Sequence, residues 1–207
     1  ITNTVGKELK KHGDSAFPCL VSYECLSGYE TGSFLWHWHP EIELTYVEKG
    51  EMLYKVNQNT FHLKEGQALF GNANALHAGY MYHNQDCKYI PVTFDPKLIY
   101  GFSGSILFQK YTEPVLRSFS LSAIPLDFSS EWHKDAVKDI REIKEILKGD
   151  TQIVSDLLME EMQALASEMK FEEAQKIKEK YDLIETYRSK SEVVNSIIHN
   201  VDVFSIE

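Results

Sequence analysis

The sequence is poor in cysteine and carries no excess of basic residues. Its 207 residues include three cysteines, none of them in a CxxC pair, and 21 lysines and arginines against 31 aspartates and glutamates. The resulting net charge of -10 argues against a basic surface for phosphate groups, so we expect no direct binding of DNA or RNA. The odd cysteine count favours free thiols and a reducing cytoplasm over a disulfide framework.

Long apolar runs and late prolines are also missing. No apolar stretch is long enough to cross a bilayer, so we expect no membrane span. All six prolines precede Trp132. The residues after Trp132 are rich in Glu, Lys, Leu, Met and Ala, which indicates a change from strands to helices at about this point.

The part before Trp132 consists of short apolar and aromatic runs separated by turn residues. Such runs predict strands, and many short strands at regular spacing indicate a sandwich or a barrel. Lys49-Gly50 and Asn57–Asn59 are typical of hairpin turns. The predicted strands are Cys19–Glu24, Phe34–His39, Ile42–Glu48, Glu51–Val56, Thr60–Leu63, Ala68–Gly71, Leu76–Tyr82 and Lys88–Phe94.

The second part predicts three helices. Their approximate bounds are Ser130–Lys148, Asp150–Met169 and Phe171–Ser189. In the second helix, apolar residues recur at steps of three and four and form one face. Because the break at Lys170-Phe171 is short, the last two helices should fold back as an antiparallel hairpin.

The strongest chemical signal is a His-x-His pair on the second predicted strand. Alternate side chains of a strand face the same way, so His37 and His39 share a side. Glu41, Glu43 and Thr45 share that parity if the strand passes Pro40 without a bulge. His77 would approach from another strand of a barrel. Three imidazoles and a carboxylate suit a divalent transition metal with positions left open for a ligand.

This pattern resembles the cupin superfamily. The first cupin motif is matched by His37, His39, Glu43 and Gly50, and Gly66 and His77 fit the second. The resemblance implies an α+β chain in which a double-stranded β-helix, or jelly-roll, barrel precedes helices. It also implies a site for Zn, Ni, Mn or Fe. The expected metal ligands are His37, His39, Glu43 and His77, and the expected ligand-binding residues are these four with Thr45 and Met81.

Several further motifs are similar to the sensor domain of AraC-type transcription regulators. They cover residues 12–142 and are His12-Gly13, Phe17-Pro18, His37–Glu43, Phe94-Asp95-Pro96 and Glu131-Trp132-His133. The resemblance implies a barrel that binds a small effector, often a carbohydrate, and helices that mediate homodimerisation. We interpret His12 itself as a loop or arm residue, not as a ligand.

Two alternatives remain open for the barrel. The imidazoles can hydrogen-bond a ligand or each other without any metal. A metal-loaded barrel can also be an enzyme, such as an isomerase or a dioxygenase, in which the metal acts as a Lewis acid. No additional base or nucleophile has a clear geometric case in the sequence, so we expect sensing and not catalysis.

The last part of the chain resembles the UVR region of the excision-nuclease subunit UvrC. The distinctive feature is the Phe-Glu-Glu-Ala turn that begins at Phe171, within a segment of about residues 144–207. The resemblance implies docking on a matching hairpin of UvrB, and pairing with a second copy is the alternative. The expected partner-binding residues are Leu165, Met169, Phe171, Ala174 and Ile177.

The two resemblances predict two domains, a sensing barrel over residues 1–142 and an interaction hairpin with a C-terminal tail over residues 143–207. Two unrelated parts without a linker indicate a fusion, either engineered or natural. Neither a DNA-reading domain nor a nuclease domain is expected within this chain, so it should neither regulate transcription alone nor cut DNA.

Overall fold

The computed structural model describes residues 2–15, 17–147 and 151–190. Most of the predicted C-terminal tail, residues 191–207, therefore lies outside the described residues. Contacts within the chain divide it into two compact units, Ile1–Ile140 and Arg141–Glu207. No helix among the described residues is long and apolar enough to span a membrane.

The first unit is built from two antiparallel sheets. The larger sheet has the order β1-β9-β4-β7-β10, with β2 also paired to β9, and the smaller sheet has the order β3-β8-β5-β6. The strands are β1 Cys19–Val21, β2 Glu24–Cys25, β3 Ser33–His37, β4 Ile42–Lys49, β5 Glu51–Val56, β6 Asn59–Lys64, β7 Ala68–Gly71, β8 His77–Met81, β9 Lys88–Phe94 and β10 Ala123–Leu126.

The space between the sheets is filled because side chains alternate along the strands. In β5, Met52, Tyr54 and Val56 are buried while the residues between them are half-buried. They pack with Phe34 of β3 and Val47 of β4, so both sheets contribute to one core. A second cluster covers other parts of the larger sheet.

The helices are α1 Lys97–Tyr100, α2 Glu113–Leu116, α3 Glu131–Leu147, α4 Thr151–Ser167 and α5 Phe171–Lys190. Val137 and Ile140 of α3 are buried in the second cluster, against Ile90 and Val92 of β9. The three predicted helices thus occur within a few residues of their expected bounds. The short helices α1 and α2 were not predicted, since four residues are too few to show a period.

α4 and α5 form an antiparallel hairpin. Between them, Met169 adopts a left-handed conformation with φ of 61°, and the Lys170 N–H donates to the Leu165 carbonyl oxygen at 2.9 Å. The Ser155 hydroxyl near the start of α4 donates to Glu185 Oε1 near the end of α5 at 2.7 Å. The predicted hairpin and its tight turn are therefore confirmed.

The predicted strand Cys19–Glu24 is divided into β1 and β2, and the predicted strand Phe34–His39 ends at His37, which leaves His39 outside it. Apart from these bounds, two details of the strand prediction were wrong. Lys49-Gly50 is not a hairpin turn, because β4 pairs with β7 and β9 while β5 pairs with β6 and β8. Instead, this turn carries the chain from one sheet to the other. Gly50 has φ of 85°, and a Cβ there would lie 2.7 Å from the Asp86 carbonyl oxygen.

The second error concerns β10, which no pattern predicted. This strand is four residues long and contains Pro125, which removes a backbone donor and disfavours a strand. It is tolerated because β10 lies at the edge of the larger sheet, paired only with β7.

Candidate functional site

Three histidines of the sequence motifs meet at one end of the smaller sheet. His37 ends β3 and His77 begins β8, and the two are direct cross-strand partners whose ring centroids lie 4.2 Å apart. His39 follows two residues after β3, with its ring centroid 5.0 Å from that of His77. One ligand atom from each imidazole lies within 4.8 Å of the others, so this histidine triad could hold a metal ion.

Backbone carbonyls orient the three imidazoles. Each Nδ1 faces the carbonyl oxygen of a residue two positions away, at 2.8 Å for His37 and His77 and at 3.2 Å for His39. An Nδ1–H donated to a carbonyl leaves the lone pair on Nε2, as in many metal-ligating histidines. The Nε2 atom of His77 is buried and has no hydrogen-bond partner. This orphaned acceptor is the strongest single indication of a missing ligand.

Glu43 on β4 provides a carboxylate beside the triad. Its Oε1 accepts hydrogen bonds of 2.7 Å from the hydroxyls of Thr45 and Tyr54, and its Oε2 accepts one of 3.3 Å from Thr93. Oε2 also lies 3.3 Å from His39 Nε2. Burial alone would raise the pKa of Glu43, but these hydrogen bonds and the nearby imidazoles outweigh it and hold the pKa well below its usual range.

The pKa values of His77 and His39 shift in opposite directions. Burial lowers the pKa of His77 to about 4, although the charge of Glu43 acts in the opposite direction. For His39, burial also acts to lower the pKa, but the hydrogen bond and charge of Glu43 raise it overall. His77 is therefore a neutral imidazole at ordinary pH, the form that binds metals.

The donor set fits a divalent transition metal. Imidazole nitrogens with an adjacent carboxylate are typical ligands of zinc and of other first-row metals. His37, His39 and His77 would hold the ion, and Glu43 is the carboxylate within reach of His39. His39 and His77 are buried, while the side chains of Glu43 and His37 are 12% and 14% exposed.

A cavity of about 340 Å³ adjoins the triad at His37 and Glu43. Of the six predicted ligand-binding residues, only these two line it. Thr45 is 1% exposed and bonded to Glu43, and Met81 packs against the core cluster beside Gly32. Other lining side chains include the carboxylates Glu8, Glu24 and Glu30, the ammonium of Lys10, and the rings of Tyr29, Phe34 and Tyr89.

Sequence reasoning assigned His12 to a loop or arm but missed that the N-terminal arm, which we define as residues 2–12, reaches the site. The arm is held by Trp38: the Glu8 N–H donates to the Trp38 carbonyl oxygen at 2.9 Å, and the Trp38 N–H donates to the Gly6 carbonyl oxygen at 3.1 Å. This places Glu8 and His12 beside the triad. The only sequence signal was the spacing of Glu8, Lys10 and His12, which puts alternate polar side chains on one side of an extended chain.

The predicted partner-binding residues of the hairpin fall into two groups. Met169 and Phe171 at the turn are 78% and 66% exposed. Ala174 is buried, and Leu165 and Ile177 are half-buried. Of these five residues, only the two at the turn present large apolar surfaces to solvent.

Two sheets that enclose a histidine triad beside a polar cavity define a ligand-binding barrel of the cupin class. The chain belongs to the family of AraC-like ligand binding domains, whose family model matches residues 23–165. Both the α+β cupin prediction and the AraC-type resemblance are confirmed. The match begins after the arm and extends into α4.

Known proteins resemble different parts of the chain. An uncharacterized HTH-type transcriptional regulator of Bacillus subtilis, YdeC, is 25% identical over 147 residues, which cover 71% of this chain and 50% of the regulator. The UvrABC system protein C of Bacteroides thetaiotaomicron is 73% identical over 75 residues, which cover 36% of this chain and 12% of that protein. The predicted similarity to UvrC is confirmed, and the chain spans half or less of either relative.

Among solved structures, a predicted oxalate decarboxylase from Thermotoga maritima shares 24% identity over 36% of this chain and 64% of its own, with a TM-score of 0.33. A likeness this low supports no inference about function.

Proposed function

We propose that the barrel is the effector-sensing part of a transcription regulator and that it binds a small polar, sugar-like molecule beside the histidine triad. The proposal is supported by membership in the AraC-like ligand binding family and by similarity to an HTH-type regulator. The observation that carries it is the buried, unpartnered Nε2 of His77 within a triad whose His37, together with the adjacent Glu43, lines a cavity large enough for a small ligand. Effector binding would then shift the conformation that an output domain senses.

The charge of the cavity favours a neutral or cationic effector. Among its described lining side chains, four carboxylates face one ammonium, that of Lys10, which is paired with Glu24 at 3.4 Å. Carboxylates accept hydrogen bonds from hydroxyl and ammonium groups, while aromatic faces contact sugar rings and attract cations. An anionic effector would meet like charges on several sides.

We further propose that a divalent transition metal, Zn, Ni, Mn or Fe, occupies the triad. His37, His39 and His77 would bind it, with Glu43 as the adjacent carboxylate. Such an ion would supply open coordination positions for an effector hydroxyl group. The protein residues contribute the orientation: three backbone carbonyls face the Nδ1 atoms and leave Nε2 of each imidazole as the metal-binding atom.

Thermal shifts test the effector proposal. The metal-loaded protein is heated with neutral sugars, amino sugars and, as anionic counterparts, dicarboxylates and fatty acids. We expect stabilisation by members of the first two groups, with loss of the shift in a Glu24→Gln/Glu30→Gln variant. Glu131→Gln is the matched control, because it removes an exposed carboxylate of α3 outside the cavity. Stabilisation by anions alone would contradict the proposal.

A metal-dependent cupin enzyme, an isomerase or a dioxygenase, is the alternative. It is tested with the same metal-loaded protein by following consumption of each compound that binds. Turnover that disappears in a His77→Gln variant would show that the barrel is an enzyme and would contradict the sensing proposal. Binding without turnover across the sugars that stabilise the protein is the result we expect.

For the second part of the chain, we propose that the hairpin binds another helical hairpin, either that of UvrB or that of a second copy in a homodimer. The similarity to a UvrC protein and the exposure of Met169 and Phe171 support this proposal. The domain division at residues 142 and 143, the fusion origin and the cytoplasmic location stay predictions.

A further inference from the structure

A second cluster of metal-binding side chains lies where the N-terminal arm meets the barrel. One ligand atom each from His12, His39 and Glu41 lies within 4.8 Å of the others. The side chains of His12 and His39 are 5% and 4% exposed, and that of Glu41 is 22% exposed. We propose that these three residues form an outer site for a divalent cation such as zinc, distinct from the histidine triad.

Two of the three distances between the donor atoms are close to those of a tetrahedral zinc site. Glu41 Oε2 lies 3.3 Å from His12 Nδ1 and 3.6 Å from His39 Nδ1. With zinc–ligand bonds of about 2.0–2.1 Å, neighbouring ligand atoms of a tetrahedron are about 3.3 Å apart. The side chains therefore need to move little to bind an ion.

Glu41 gives an independent indication of a missing cation. Its Oε2 atom is buried and makes no hydrogen bond, although His12 Nδ1 lies 3.3 Å away. Buried polar atoms nearly always have a partner, and an unpartnered carboxylate oxygen is costly. A cation between Glu41 and the two imidazoles would remove that cost.

Both imidazoles also have the outer partners that zinc-binding histidines commonly have. The second nitrogen of His12, Nε2, lies 3.0 Å from Glu8 Oε2. The second nitrogen of His39, Nε2, lies 3.3 Å from Glu43 Oε2. A carboxylate that accepts the remaining N–H fixes the tautomer and strengthens the metal–nitrogen bond.

Sharing His39 makes the outer site and the triad mutually exclusive. A neutral imidazole has one lone pair, so His39 binds a cation through Nδ1 or through Nε2 but not through both. With the cation in the outer site, the proton sits on Nε2 and faces Glu43. With the cation in the triad, the proton sits on Nδ1 and faces the Glu41 carbonyl oxygen at 3.2 Å.

The outer site joins two parts of the fold. His12 belongs to the arm, whereas His39 and Glu41 belong to the barrel, so a cation bound there cross-links the arm to the barrel. A cation in the triad makes no such link. The outer site thus goes beyond effector sensing and requires neither an effector nor a metal in the triad.

Zinc titration of a His37→Gln/His77→Gln variant tests the outer site, because this variant leaves the triad with only His39 and the adjacent Glu43. We expect one zinc per chain. Adding Glu8→Gln should weaken binding by about 10- to 100-fold, the usual effect of losing an outer partner, and adding His12→Gln should weaken it by more. His62→Gln is the control, because His62 of β6 pairs with Glu51 of the neighbouring strand β5 at 2.6 Å and belongs to neither proposed metal site.

Trypsin cleavage after Lys10 or Lys11 supplies a second measurement. Zinc should slow this cleavage in the double variant and not in the triple variant that contains His12→Gln. If the double variant fails to fold, as judged by circular dichroism, the cleavage comparison is made between the single variant His37→Gln, which removes the half-buried member of the triad, and His37→Gln/His12→Gln. Zinc binding that is indifferent to His12→Gln, or arm cleavage that zinc never slows, would overturn the proposal, whatever the sugar panel shows.

Discussion

His37 and His77 face each other as cross-strand partners of β3 and β8, with ring centroids 4.2 Å apart. The pairing depends on an irregularity in β3, because the register shifts between Phe34 and His37. A one-residue slip without it would turn one of the two imidazoles to the opposite face. The geometry of the triad is therefore a property of strand register, and changes in the core around it should alter both stability and binding.

Removing the Tyr54 hydroxyl should destabilise the barrel. Tyr54 is 2% exposed and donates a 2.7 Å hydrogen bond to the ionised Glu43. Tyr54→Phe keeps the ring but removes this donor, so we expect the free energy of unfolding to fall by about 1.5–3 kcal/mol, measured by urea titration. Tyr80→Phe, at a half-buried position of β8, should change it by less than about 0.5 kcal/mol. Equal losses in the two variants would contradict the assignment.

A methyl group at Gly79 should disturb the cavity wall. The Cβ of an alanine there would overlap the ring of Phe34 and lie 2.7 Å from Met52 Cε. We expect Gly79→Ala to destabilise the barrel by about 1–3 kcal/mol and to weaken effector binding, because Phe34 lines the cavity. Gly28→Ala is the control, as its Cβ would meet only Cys25 Sγ at 3.5 Å. Calorimetric unfolding and effector titration measure the two effects, and an unchanged Gly79→Ala variant would refute this packing.

Cys87 should resist alkylation in the folded protein. Burial, with a smaller contribution from the charge of Asp86, raises the pKa of its thiol to about 12. At pH 8 only about one thiol in ten thousand would be the reactive thiolate, and the fraction rises with pH. Cys19 and Cys25 are partly exposed. Iodoacetamide treatment followed by peptide mass spectrometry should show Cys87 modified last, with the difference lost in urea. Early modification of Cys87 without urea would contradict its burial.

The exposed ring of Phe171 should matter for association and not for folding. Because Phe171 is 66% exposed, Phe171→Ser should change the free energy of unfolding by less than about 0.5 kcal/mol. It should weaken self-association or UvrB binding, measured by sedimentation and by titration with UvrB. Leu183→Ser is the matched control, since Leu183 is 69% exposed elsewhere on α5. If both variants associate like the wild type, the hairpin turn is not the binding surface.

Much of the local structure was predictable because it depends on short-range patterns. The alternation of Met52, Tyr54 and Val56 predicted a strand, and the break at Lys170 predicted the hairpin. Elements that depend on distant residues were missed. β10 forms despite Pro125 because it pairs with β7 at the edge of the larger sheet. Met81 was expected to line the pocket by parity, yet it packs in the core beside Gly32.

The sequence by itself determined which side chains are available for coordination, because the His-x-His pair, Glu43 and His77 are recognisable as motif residues. Strand parity does not bring them together, since β3 ends at His37, His39 lies outside it, and Glu43 belongs to β4 of the other sheet. Only the tertiary structure decided that His77 lies opposite His37 and that the arm brings His12 to His39. It also decided that the Glu43 carboxylate accepts hydrogen bonds from Thr45 and Tyr54. Those relationships join residues that are distant in the chain, and they follow from sheet register and packing, which no local pattern encodes.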